Sequence, residues 1–309
     1  RGRRKAPPKK GFGADPTPPP VQEKPTPSTN KRIYSLPGLY DLAFGYRSYE
    51  EEVDFLIGQH ERIHGGTPPA RTLELAAGPA RHTIAALESG LVKHGIALDN
   101  SPEMVEYGRE TAQFELDVDT LERFKYVKDD MTKFELPESD LPVDSTWILL
   151  GSLQHLTEND QVIACFQSIH KALSDGGTLI VELPHPRETF TLVECTRNGW
   201  EVPLEDEDGN ESGELKIIWG DDNDDFDPIR QVRQFTVSME VVGAGGDISP
   251  HLQSVREIVP MRHFTAQEID ALARIAGFRV ESMHGALAEG VAVNDEIEAF
   301  RLVCVLQKV

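Results

Sequence analysis

From Tyr34 onward, apolar and polar positions alternate between two periods. Val53, Leu56, Ile57, His60 and Ile63 recur at helical spacing behind the acidic triplet Glu50 to Glu52, which suits a helix N-terminus. The run 70–76 (ARTLELA) predicts a strand. It enters a Gly/Pro turn, a helix from Ala80 to Leu91 and a second strand, HGIALD, over 94–99. The alternation continues with a helix from Pro102 to Gln113, strands at FKYVKD and TWILLGS, and a helix from Glu158 to Leu173 closed by Asp175-Gly176-Gly177. A strand at TLIVELP follows. Strands and helices in this order specify an open parallel sheet with helices on both faces.

Residues 190–262 break the rhythm. LKIIWG, RQVRQFTVSMEVVG and SVREIVPMR predict strands, with turns at Asp208-Gly209-Asn210 and Gly243 to Asp247, so this stretch is expected to be an antiparallel insertion. FTAQEIDALARIAGF then predicts a helix capped by Thr265 and closed at Gly277. FRVESMHG and FRLVCVLQKV are expected to end the sheet as an antiparallel hairpin.

Residues 1–32 differ from all of this. They carry nine Lys or Arg against Asp15 and Glu23, a net +7, with Pro runs and few large apolar side chains. Such a segment cannot bury enough surface to offset its ordering entropy, and the expectation is a disordered basic tail, with an acidic-surface anchor or the remnant of an organelle transit region as competing readings. Since the whole chain of 309 residues carries −21, the remainder carries −28. A surface so negative repels phosphate backbones, which argues against nucleic-acid binding. No apolar stretch is long enough for a membrane span, and nothing resembles a secretory signal. Cys165, Cys195 and Cys304 lie far apart without metal-ligand spacing, so an intracellular, reducing location is expected, cytoplasm or plastid stroma. Oligomeric state is not legible.

Glu74, Gly78 and Asp99 form the main chemical constellation. Glu74 lies near the end of the first strand, the turn Ala76 to Ala80 follows, and Asp99 closes the second strand. Open α/β sheets bind ligands outside the carboxyl ends of their strands. There a glycine lets backbone approach a ligand, and an acidic residue can accept both hydroxyls of a ribose.

On these residues the chain resembles the class I S-adenosylmethionine-dependent methyltransferases over roughly residues 34–309. TLELAAGPARHTIAAL resembles their first motif, ALDNSPEMVEYGRE their second and KDDMTKF their third. VDSTWILLGSLQHL and LSDGGTLIVELPHP are similar to their fourth and fifth strands. The resemblance implies a Rossmann-like seven-stranded sheet, mostly parallel with an antiparallel C-terminal hairpin. It makes residues 33–309 the methyltransferase domain, with 190–262 as an inserted β lid, and S-adenosylmethionine the cofactor. The cofactor-binding residues it implies are Glu74, Ala76, Gly78, Asp99, Asn100, Met104, Asp130, Met131 and Gly151. Family turns carry Gly where this chain has Ala76 and Ala80, a departure that bears on cofactor affinity. The rival is an NAD-type Rossmann domain, suggested by the spacing of Asp99 from Gly78, but GPARHT lacks its GxGxxG pattern.

His155, just beyond the fourth strand, is the candidate catalytic base, with cofactor hydrogen bonding or loop positioning as its alternative role. Glu182 and His185 follow the fifth strand and are weaker candidates for the acceptor pocket, while His82 is expected to be a surface or packing residue. Tyr40, Phe44, Tyr46 and Tyr49 are candidates for a lid that excludes water and attracts a sulfonium, or for plain packing. The twelve carboxylates between Glu201 and Asp227 do not fit a calcium loop, because aligning Gly209 as sixth residue puts Leu204 first and Leu215 twelfth. Solvated hairpin loops are the default there. The acceptor expected is a small molecule, then a protein side chain, with a non-catalytic binding module as the reading from another class.

Overall fold

The structure, a computed structural model, describes residues 32–189, 198–205, 211–243 and 254–309. The expected basic tail, except Arg32, lies outside these residues. So do Cys195 and most of both predicted turns of the insertion.

After a single 3-10 turn at Ile33–Ser35 come helices α1 (Pro37–Phe44) and α2 (Tyr49–Ile63), then β1 (Arg71–Leu75), α3 (Arg81–Glu88) and β2 (His94–Asp99). Next are α4 (Pro102–Glu115), the short α5 (Val118–Leu121), β3 (Phe124–Lys128), β4 (Val143–Ile148), α6 (Asn159–Ala172) and β5 (Leu173–Pro184). The single turn α7 (Pro186–Thr189) leads to β6 (Asn198–Glu205), β7 (Glu211–Trp219), β8 (Phe226–Asp227), β9 (Val232–Val242) and β10 (Val255–Arg262). The chain ends with α8 (Ala266–Ile275), β11 (Phe278–His284) and β12 (Arg301–Lys308).

Seven strands form one sheet in the order β11-β12-β5-β4-β1-β2-β3, with β12 antiparallel to both neighbours and the other pairings parallel. Apolar residues face both sides of it. Leu179, Val181 and Leu183 of β5 pack with Phe166 and Ile169 of α6 and Leu272 of α8, while the intervening Ile180 packs with Leu56 of α2 and Ile84 of α3. A strand buried on both faces must be apolar at successive positions, which is why TLIVELP shows a run and not an alternation.

The insertion is a second, antiparallel sheet in the order β10-β9-β7-β6, with β8 beside β9. Its inner face presents Leu215, Ile217, Val237 and Met239 to Ile33, Leu36, Leu39 and Ala43, so the N-terminal segment is clamped against it. Strand β6 was not anticipated, although Trp200, Val202 and Leu204 alternate with Glu201 and Pro203 as a half-buried strand requires.

Several boundaries depart from the sequence expectation. The first crossover helix stops at Glu88. TWILLGS leaves the strand at Ile148, because Leu150 (φ 54°) and Gly151 (φ 72°) turn the chain left-handed. Gly176 and Gly177 do not cap α6 but lie within β5, where the register against β4 shifts between Val143 and Ser145. The final two strands pair as expected, but sixteen residues, 285–300, separate them.

Candidate active site

The carboxyl ends of β1, β2 and β4 and the inner face of the second sheet enclose a cavity of about 940 Å³. Ala76, Gly78, Asp99, Asn100, Met104, Asp130, Met131, Gly151 and His155 all line it. The remaining cofactor candidate, Glu74, does not. It is buried behind the turn, where its carboxylate accepts from the backbone N–H of Thr83 (3.0 Å) and from the Thr83 hydroxyl (2.6 Å). Glu74 thereby fixes the start of α3 and shapes the turn from below.

The turn itself is left-handed three times over. Ala76, Gly78 and Ala80 have φ of 51°, 54° and 60°, so the two alanines keep the conformation that glycine adopts freely. The Asp99 carboxylate closes the turn by accepting from the N–H of Gly78 (2.9 Å) on one oxygen and from that of Ser101 (2.8 Å) on the other. Burial raises the Asp99 pKa, against the lowering effect of those backbone donors. The Tyr126 hydroxyl donates to the Gly78 carbonyl. A carboxylate has about four acceptor sites, so Asp99 keeps capacity to accept from a ligand hydroxyl. The Ser101 hydroxyl caps α4 by accepting from Met104 N–H (3.2 Å), while donating to the Tyr34 carbonyl (2.9 Å). Burial disfavours ionisation of Asp130, but the amide and hydroxyl of Thr132 and the nearby Lys133 outweigh it and lower its pKa.

His155 ends a single 3-10 turn, Ser152–His155, and its Nε2 lies 2.8 Å from the hydroxyl of Tyr34, with the rings edge to face at 5.4 Å. Burial lowers the His155 pKa and raises that of Tyr34 well above the usual phenol value. At neutral pH both groups are therefore uncharged: a phenol that keeps its proton beside an imidazole free to take one. Gln154 donates to the Arg262 carbonyl (3.0 Å) and so ties this turn to β10 of the second sheet.

From Tyr34 a file of rings runs along the cavity. Tyr34 meets Tyr40 (5.9 Å), Tyr40 meets Phe44 (4.6 Å), and Phe44 meets Trp219 (5.5 Å) and Trp200 (5.6 Å), whose indole N–H donates to the Ala43 carbonyl. Tyr40, Phe44 and Tyr46 line the cavity, with Tyr46 exposed at its rim. Tyr49 does not line it. Its ring packs edge-on against His82 and its hydroxyl donates to the Phe44 carbonyl.

His82, expected at the surface, is buried between Glu52 (2.7 Å) and Glu74 (3.5 Å). Burial opposes its charging, but hydrogen bonds to the two carboxylates outweigh it and raise the pKa to about 9. Glu52 also pairs with Arg47, which pairs with Glu182 (3.2 Å). Glu182 is fully buried and accepts from the strained Leu150 N–H (2.8 Å) instead of facing the cavity. His185 does line the cavity. Its Nε2–H donates to the Val293 carbonyl (2.7 Å) while Nδ1 accepts from Arg187 N–H (3.1 Å), so both ring nitrogens are already engaged. Sequence reasoning missed Tyr34, Arg47, Trp200, Trp219 and Arg301. Only Trp200 announced itself, through the alternation of its strand.

Among the described residues no helix is long and apolar enough to cross a membrane. No curated protein matches the chain in sequence. The fold is shared with solved methyltransferases at low identity. An S-adenosylmethionine-dependent methyltransferase from Clostridium acetobutylicum is 15% identical with a TM-score of 0.65, covering 88% of this chain and 96% of its own. A SAM-bound amino pentose methyltransferase from Micromonospora echinaspora is 16% identical with a TM-score of 0.62, covering 88% of this chain and 97% of its own. A sugar N-methyltransferase from Streptoalloteichus is 14% identical with a TM-score of 0.64, covering 96% of this chain and 99% of its own. Residues 72–177, from β1 into β5, match the family model described as a methyltransferase domain, and that stretch holds the Ala76 to Ala80 turn, Asp99, Asp130 and His155. Residues 72–177 thus match a methyltransferase domain, and the chain as a whole shares the fold of solved S-adenosylmethionine-dependent methyltransferases.

Proposed function

We propose that the methyl acceptor is a small molecule held between the sheet edge and the inserted second sheet, and that the Tyr34–His155 pair takes up its proton. The observation that carries this reading is that pair, inside a cavity of about 940 Å³ that extends past the cofactor residues to Trp200, Trp219, Phe235 and Met261. Pockets of this size and apolar character suit small ligands. Two structural neighbours are an amino pentose methyltransferase and a sugar N-methyltransferase, which favours a small acceptor over a protein side chain.

Bound S-adenosylmethionine supplies an electrophilic methyl group. The chain's own contribution is to place and prepare the acceptor. Asp99 and the left-handed turn fix the nucleoside end, and the ring file excludes water from the reacting centre. The neutral imidazole of His155 accepts a proton from an acceptor hydroxyl or amine, directly or through the Tyr34 hydroxyl, a contribution of typically 10² to 10⁴ in rate. The non-catalytic alternative needs the Ala76 and Ala80 methyl groups to close the pocket. Against it, Ala76 stands in the wall of an open cavity and Ala80 points into the protein interior. Isothermal titration with S-adenosylmethionine, followed by methylation of cell extract split by molecular weight, tests both points. No cofactor binding would overturn the enzyme reading, and label confined to the protein fraction would overturn the small acceptor.

A further inference from the structure

Strand order makes the row of strand ends along the cavity a ruler. Asp99 closes β2, the His155 turn follows β4, and Arg301 opens β12 opposite Pro184 at the end of β5. With strands about 4.8 Å apart, the β4 position lies two strands, on the order of 10 Å, from the β2 position on one side and from the β12 position on the other. The nucleoside end of the cofactor belongs at Asp99, so the β12 side is left to the acceptor.

Arg301 lines the cavity there. Its Nε lies 3.2 Å from Glu182 without a hydrogen bond, and its guanidinium stands over the Phe300 ring at 5.3 Å. Glu182 is already held by Arg47 and by Leu150 N–H, so it does not consume the whole fork. The two terminal guanidinium nitrogens of Arg301 have no hydrogen-bond partner among the described residues, and a quarter of the side chain (26%) is exposed. A planar fork with free parallel donors matches a carboxylate or a phosphate. In a body whose net charge is strongly negative, such a site gives an anion a favourable position at the β12 end of the cavity.

Resting on the proposed small-molecule reading, we infer that Arg301 anchors an anionic group of the acceptor, a carboxylate or phosphate, about 10 Å from the atom that receives the methyl group. Arg301 is in this role a specificity residue: it sets which molecules enter and which way round, and leaves the chemistry to Tyr34 and His155.

The test is calorimetric titration of the protein with phenyl phosphate, 4-phenylbutyrate and 4-phenylbutanol, with and without saturating S-adenosylhomocysteine. Wild type is expected to bind at least one of the two anions ten times more tightly than the alcohol, and the tighter of the two identifies the group. Arg301→Gln is expected to erase that preference while leaving S-adenosylhomocysteine affinity within twofold. Equal binding of alcohol and anions by wild type would overturn the inference, and so would a preference that survives in the variant. A tenfold loss of S-adenosylhomocysteine affinity in Arg301→Gln would assign the guanidinium to the cofactor instead. If the Gln variant fails to fold, Arg301→Lys keeps Glu182 paired and carries the test: at least a fivefold loss in anion affinity is expected, and unchanged affinity overturns the proposal. Failure of wild type to bind S-adenosylhomocysteine would count against the proposed function alone, because the anion preference is also measured without it.

Discussion

Asp99→Asn, normally a mild change, is expected here to be nearly as damaging as Asp99→Ala. The carboxylate accepts from Gly78 N–H on one oxygen and from Ser101 N–H on the other, at 2.9 and 2.8 Å. An asparagine has one acceptor oxygen, and its amide group would point hydrogens at whichever backbone donor remained. One buried N–H therefore loses its partner, a cost of about 1 to 3 kcal/mol, and the left-handed turn at Gly78 loses its tie to β2. A ribose hydroxyl that had a charged acceptor now meets a neutral amide, worth a further loss of about 1.4 kcal/mol or more, at least tenfold in affinity. Calorimetric titration with S-adenosylmethionine reads the second quantity and thermal unfolding without ligand reads the first. The expected result is a midpoint lowered by several degrees together with a tenfold or greater rise in Kd. A folded Asn variant with wild-type affinity would refute both the ribose assignment and the coupling of that residue to the turn.

His155→Gln should lower turnover by ~10² or more while cofactor affinity stays within a few fold, and wild-type turnover should rise with pH through a value below the ordinary imidazole 6.5, because burial lowers the His155 pKa; a Gln variant within a few fold of wild type would reduce His155 to a positioning residue. Ala76→Gly should stabilise the protein by about 0.5 to 1 kcal/mol, since relief of the left-handed alanine at φ 51° outweighs the added freedom of the unfolded chain; an unchanged or lower thermal midpoint would refute this. The thermal midpoint should also fall as pH drops from 6.5 towards 4. Burial and the neighbouring His64 hold the pKa of His60 at about 4, so the unfolded chain takes up that proton first; His60→Gln should flatten this limb.

The legible part of the fold was the part built from long apolar runs and strong punctuation. β2 matches its predicted bounds residue for residue, and Thr265 caps α8 through a reciprocal bond with Glu268, because both are local consequences of residue type. The candidate cofactor residues converge for a related reason: motif residues sit in sequence beside the turns they shape, and eight of the nine line the cavity. Glu74 departs because its carboxylate finds nearer partners in the N–H and hydroxyl of Thr83. Tyr34 was invisible, since only the fold brings it across 121 positions to His155. Arg301 sits in a strand whose pattern speaks only of burial, and nothing in that pattern distinguishes a guanidinium with open terminal donors from one whose donors are all bonded.

The misplaced histidine and glutamates are the more instructive case, because their burial follows from one requirement. Arg47 holds the segment that carries Tyr34 and Tyr40, Glu182 holds the left-handed Leu150 in the loop before His155, and His82 with Glu74 holds the start of α3 behind the Ala76 to Ala80 turn. Glu52 joins Arg47 to His82, so four carboxyl or imidazole groups and one guanidinium connect the three walls of the cavity from beneath. Apolar packing at the same place would be as stable or more so, since desolvating charges is costly. It would not fix direction, however: a guanidinium between two carboxylates has few alternative arrangements, whereas aliphatic side chains can slide. The strained backbone at Leu150 and at Ala76 persists only where its surroundings over-determine it, and a network of directional, largely buried contacts supplies that constraint. The charge on His82 is part of the device. Its raised pKa of about 9 means that its stabilising contribution is complete below the unfolded value of 6.5 and fades as pH rises through 9, so an alkaline edge of stability is expected from the scaffold of the site, apart from the acid edge of activity proposed for His155.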